Sequence, residues 1–199
     1  MKKMIFLLIL IVFLKNCAPL DKRLLEPDGK TLNKLLPLEI GLFDSIEKSK
    51  YLDSITYQGH IMTIFEREIE KNMFINDKKR ETYGYIDLAL IYDEIQHNYF
   101  YALLYPIFPI VGPFGMPYYV GKRELELELT IYDINKKKVK TYAESFDKNF
   151  FLNIYNTKVE IQTNRIKIVK AIIEKFKLRI QQDIQFLNGE LRDAYKNNE

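Results

Sequence analysis

Tryptophan is absent from this chain of 199 residues, cysteine occurs once and histidine twice. A single cysteine excludes an intramolecular disulfide. The two histidines, His60 and His97, fall at an expected helix start and in an expected polar loop, where imidazole caps or meets solvent rather than catalyses. The sequence also lacks G-x-S-x-G, H-E-x-x-H, P-loop and G-x-G-x-x-G patterns. Its most glycine-dense stretch, Gly112-Pro113-Phe114-Gly115, is too apolar and proline-rich to cradle a phosphate. These absences lead to the expectation of a non-enzymatic protein without cofactor or metal.

What is present is concentrated at the amino terminus. Lys2 and Lys3 precede the uncharged run Met4 to Leu14, and Lys15-Asn16-Cys17 follows, with Cys17 the only thiol. As a helix the apolar run reaches about 16 Å, roughly half of a ~30 Å hydrocarbon core. A permanent span is therefore excluded, and the order of charge then apolar residues is that of a secretory signal. Leu14 and Cys17 stand at the first and last positions of a lipobox, so the leader resembles that of bacterial lipoproteins. Lys15 and Asn16 depart from the small residues usual between them. The resemblance implies cleavage after residue 16 and acylation of Cys17 with palmitate-type chains, two or more of which anchor stably. It also implies a cell-envelope location, and Ala18, being non-acidic, favours the outer membrane.

Loss of Lys2, Lys3 and Lys15 with the leader leaves 27 basic residues against 27 acidic ones. No net field then remains to attract nucleic acid. Residues 17–36 mix Pro, Asp, Gly and Lys and read as a tether with room for a short helical turn. A single domain is expected over 37–191 and a polar tail over 192–199.

Within that domain Leu38, Ile40 and Leu42 alternate at period two and predict a first strand over 38–43. Glu47 to Gln58 reads as loop. Ile61, Phe65, Ile69 and Met73 recur every four residues, predicting an amphipathic helix over 59–74. Ile86, Leu88 and Leu90 predict a second strand over 83–93. Leu125, Leu127, Leu129 and Ile131 predict a third, and Val139 to Phe146 a weaker fourth that closes a hairpin. Asp147 to Lys158 reads as a connecting loop. Ile161, Ile168, Ile172, Phe176, Ile180, Ile184 and Leu187 predict a long helix from Val159 to about Leu191, with a late break at Gly189. The fold class that follows is α+β: a small, mostly antiparallel sheet of about four strands with two amphipathic helices on one face. Through the strand 38–43, the helix 59–74 and the hairpin 123–146, this order resembles the periplasmic domain shared by the curli secretion channel family and the amino-terminal domain of the Tol translocation protein. That resemblance implies an assembly or secretion subunit, or a lipid-ligand carrier, as the alternative to a binding or scaffolding protein.

The apolar insertion 99–121 runs without a charge and contains Pro106, Pro109, Pro113 and Pro117. Each proline costs about 3 kcal/mol inside a helix, so the segment does not span a bilayer. Three readings stay open: a loop folded over the sheet, an apolar lip for a protein partner, or a shallow membrane contact. Under the last two, Tyr101, Tyr105, Phe108, Phe114, Tyr118 and Tyr119 are the candidate contact residues, and the partner is an unidentified envelope protein. Glu124, Glu126 and Glu128 share one strand face about 7 Å apart. Lys122, Arg123 and the lysines across the hairpin make a solvated face the expectation there, rather than a metal site. Lys167, Lys170 and Lys177 likewise read as the solvated side of the last helix.

Overall fold

The computed structural model describes residues 22–27, 33–45, 54–75, 81–98, 106, 117, 119–153 and 157–198. A short 3-10 turn, Lys22–Leu25, precedes strand β1 (Glu39–Ser45) and helix α1 (Ser54–Glu68), which widens into a π turn at Ile69–Met73. Strands β2 (Gly84–His97), β3 (Tyr119–Asp133) and β4 (Lys138–Leu152) follow, and helix α2 (Thr157–Lys196) closes the order. The sheet runs β1-β2-β3-β4, with β1 parallel to β2 and the other two pairings antiparallel. This is the expected α+β class, a four-stranded, mostly antiparallel sheet with two helices. No helix among the described residues is long and apolar enough to cross a membrane.

Period-two alternation in β3 decides which side is covered. Leu125, Leu127, Leu129 and Ile131 are 0% exposed, while Glu124, Glu126 and Glu128 between them keep partial contact with solvent. Ile86, Leu88 and Leu90 of β2 join the buried row. On top lie Ile61, Ile64, Phe65 and Ile69 of the first helix, and Ile168, Ile172, Phe176, Ile180 and Leu187 of the second. α2 packs mainly on β4 and β3. Forty residues give it a length of about 60 Å, enough to follow the 15-residue strands from end to end. Its expected break at Gly189 does not occur. Leu187 and Leu191 are both fully buried, so the turn containing the glycine is held from either side, and the helix continues to Lys196 through what reads as tail.

Three other boundaries move. β3 starts at Tyr119 rather than Glu124, and Asp147 to Leu152 are strand rather than loop, because the two stretches pair with each other from Tyr119↔Leu152 to Glu124↔Asp147. Ser54 to Gln58 belong to α1, which places His60 inside the helix; His97 closes β2. Leu35 and Leu36, expected in the tether, are buried. Leu35 bridges Phe74 in parallel, and the Asn188 side chain accepts from the Leu36 amide at 2.9 Å while donating to the Lys34 carbonyl at 3.2 Å. Leu24 and Leu25 also pack on the core. Glu47 to Asp53 and Ile154 to Asn156, expected as loop, lie outside the described residues.

The covered face holds charges that the sequence pattern assigns to solvent. Lys177 of α2 reaches Glu68 of α1 at 3.2 Å, the side chains being 5% and 2% exposed, and Asn72 donates to the same carboxylate at 2.9 Å. Lys177 also binds Glu174 one turn earlier. Lys170 donates to the Glu26 carbonyl, leaving Lys167 as the exposed member of the expected lysine stripe. At the other end of the layer Arg123 grips Asp93 through two bonds of 2.7 and 2.6 Å. A bulge in β2 between Leu90 and Tyr92 shifts the alternation by one residue, which turns Asp93 onto the covered face to meet Arg123. Arg123 thus neutralises Asp93 and not the glutamate row. Between β4 and α2, the Tyr142 hydroxyl donates to Asp183 at 2.8 Å, and burial together with that anion raises the phenol above its ordinary range.

A buried ion pair adds little net stability while intact, but losing one partner leaves a buried charge. Lys177→Met should therefore lower unfolding stability in urea by about 3–5 kcal/mol, and adding Glu68→Leu should recover most of the loss.

Candidate functional site

The helices leave the opposite sheet face open, and its most differentiated region lies where β1 enters the sheet. Glu39 pairs Tyr85 and Ile40 pairs Ile86, but the next registered pair is Phe43↔Leu88, so Gly41 and Leu42 together oppose the single residue Asp87. This is a bulge in a parallel pair, a place where the ladder opens. Glycine is what leaves room for the Asp87 side chain there. A β-carbon on residue 41 would stand 1.9 Å from Oδ1 of Asp87, so a side chain at this position and the Asp87 carboxylate exclude each other.

A cleft of ≈ 460 Å³ sits over the bulge, lined by Glu39, Ile40, Gly41, Tyr85, Asp87, Tyr132 and Lys136. Tyr85 and Tyr132 are directly paired neighbours on the open face. Lys136 arrives from the β3–β4 turn. There Oδ1 of Asp133 accepts from the amides of Asn135 at 2.9 Å and Lys137 at 2.8 Å, and Lys136 adopts φ 60. A left-handed lysine costs about 1 kcal/mol or more, which the Asp133 clamp offsets. The resulting geometry carries the Lys136 ammonium over the Tyr85 ring, 6.0 Å from its centroid.

Burial pushes the Asp87 carboxyl above its ordinary value, and no charge or hydrogen bond among the described residues counters the effect. A desolvated carboxylate without a partner lowers the stability of the fold at neutral pH, and such groups concentrate at functional sites.

Farther along the same face the acids gather in a lane. Glu94, Glu124 and Asp147 stand opposite one another across three strands, with Glu126 and Glu128 beyond them. The Tyr92 hydroxyl donates to Glu94, and Lys122 pairs Asp147 at 3.2 Å. Among the described residues no group of three His, Cys, Asp or Glu side chains is arranged to hold a metal ion. The expectation that the glutamate row is a solvated face fits its partial exposure.

Of the residues singled out in the sequence, Cys17, Tyr101, Tyr105, Phe108, Phe114 and Tyr118 lie outside the described residues. Tyr119 opens β3. Its ring is half-buried, packs 5.6 Å from Phe150, and crosses the α-carbon of Gly121, where an added β-carbon would lie 2.7 Å from it. The cleft around Asp87 was not singled out. Its one local signal was Gly41 inside an alternating strand, a residue that marks close backbone approach.

No protein-family model matches the chain, and no curated protein matches it. Among solved structures, a minor lipoprotein from Acinetobacter baumannii aligns over 78% of this chain and 92% of its own, with 10% identity and a TM-score of 0.32. Similarity that loose carries no argument about fold or activity.

The Asp87 penalty is testable by linkage. Its carboxyl titrates above the unfolded value of 3.8, so the stability it contributes is full below that value and is lost as pH rises through its folded pKa. Asp87→Asn should raise the urea midpoint at pH 7, and the difference from the parent should vanish in acid, as two parallel pH series of unfolding curves will show.

Proposed function

We propose that this protein is a lipid-anchored cell-envelope protein, attached through Cys17 to the outer membrane, that binds or scaffolds another envelope component. The observation carrying the binding half is the one-sided sheet: two 15-residue strands present a largely polar face that neither helix covers. That face carries Asp87, Glu94, Glu124, Glu126, Glu128 and Asp147 against few bases, a composition that favours a cationic or hydrogen-bonding partner over an apolar one. The anchoring half rests on the order of residues Lys2 to Cys17.

The two regions with binding character leave the sheet at opposite ends. β1 enters beside the Asp87 cleft, and the chain before it turns back along α2, where the Glu26 carbonyl accepts from Lys170. The apolar insertion connects the end of β2 at His97 to the start of β3 at Tyr119, which is the far end. The apolar segment with Tyr101, Tyr105, Phe108, Phe114, Tyr118 and Tyr119 remains the proposed partner contact.

The anchor is tested by fractionation. Cys17→Ala, or inhibition of lipoprotein signal peptidase with globomycin, should change electrophoretic mobility, and Cys17→Ala should release the protein from washed membranes. Unchanged mobility together with unchanged membrane retention would remove lipidation from the account.

A further inference from the structure

The Asp87 cleft has features that a general contact surface does not need. Its volume lies within the range of small-molecule sites, and it is several times larger than the ammonium tip that now approaches it. Two tyrosines and two carboxylates, Glu39 and Asp87, line it, a combination that attracts a cation through both ring faces and charge. Among the described residues one lysine stands on its rim and already behaves as such a cation, since Lys136 holds its ammonium over Tyr85 in a strained left-handed turn. Yet Asp87 has no ion pair or side-chain hydrogen bond among the described residues. The chain therefore contains a carboxylate in need of a cation, an aromatic face holding a movable one, and space for something larger.

We propose that the cleft over the Gly41–Leu42 bulge binds an organic ammonium group, with Asp87 as its counter-ion and Tyr85 as the face it lies on, and that Lys136 occupies the ring until the ligand displaces it. Lys136 is exposed and its four-carbon stem rotates freely, so displacement moves the ammonium into water without disturbing the Asp133 clamp. A bare divalent ion is a poor fit, because the tyrosine rings offer it no oxygen in place of its lost water. An anion is a poorer one, with Glu39 and Asp87 on the walls. The inference requires neither Cys17 nor an envelope partner, so it stands or falls apart from the anchor.

The same ammonium chemistry occurs in lipid headgroups and in free amines. Titration of the purified full chain with choline and ethanolamine, followed by calorimetry and by amide resonances of Gly41, Tyr85 and Asp87, tests the site. Sodium chloride of equal ionic strength serves as the blank. The expected result is saturable binding with shifts centred on those three residues. Asp87→Asn should weaken it by about tenfold or more, and Lys136→Ala, which removes the internal competitor, should tighten it severalfold. The urea midpoint of each variant establishes that it is folded. Tighter binding of phosphocholine and phosphoethanolamine than of choline and ethanolamine would mark a headgroup site, and the reverse a free-amine site; either sustains the proposal. Absence of saturable binding to the parent chain, or equal binding by folded Asp87→Asn, would overturn it. So would binding of inorganic phosphate that is lost in Lys136→Ala while the amines leave no trace.

Discussion

Burial of a single sheet face governs this molecule. The row Leu125, Leu127, Leu129 and Ile131 must be kept from water, and α2 with α1 supplies the cover. At about 25 cal/mol per Å² of apolar surface, those four side chains alone contribute several kcal/mol. Every other feature is arranged around that row. α2 must be as long as the strands, so it runs unbroken through Gly189. The chain before β1 is drawn in to seal the edge, which buries Leu35 and Leu36. Charges that fall under the cover must find partners, and Glu68 with Lys177, Arg123 with Asp93, and Tyr142 with Asp183 provide them. The other face is released from all these demands and can carry function.

That division explains what was legible in the amino-acid order. The row in β3 is readable because four aliphatics alternate with three glutamates and a threonine without interruption, and α1 and α2 are readable from their four-residue steps. Where a bulge resets the phase, the reading fails. The extra residue in β2 near Ile91 puts Asp93 inside, where it meets Arg123 from the buried row of β3, although a charge in an alternating strand ordinarily signals solvent. The strand portions from Tyr119 to Arg123 and from Asp147 to Leu152 are unconvincing singly and become strand through mutual pairing, a long-range effect that no local window contains. Lys177 reads as surface because its partner Glu68 lies 109 positions away in the chain.

The cleft was hidden for the same reason. Asp87 is one polar position among several in β2, and its distinction comes from the two residues that oppose it across a parallel pairing. Gly41 is the trace this leaves in the sequence, and Lys136 becomes relevant only when the β3–β4 turn returns it to Tyr85. The site thus depends on three segments that approach one another only in the assembled sheet. Its cost is visible in the raised Asp87 carboxyl and the left-handed Lys136, two local penalties that share one cleft. Desolvation and a left-handed residue gathered at one place support the proposed ligand site.

The central claim is that the uncovered face, and not the helical layer, meets the proposed envelope partner. Hydroxyl-radical footprinting of the protein in intact cells and after purification tests this directly. The account predicts that Tyr85, Tyr92 and Tyr132 are oxidised more slowly in cells than in the purified chain, while exposed Leu178 and Phe186 on α2 react at the same rate in both. Protection of Leu178 and Phe186 with the three tyrosines unchanged would contradict it.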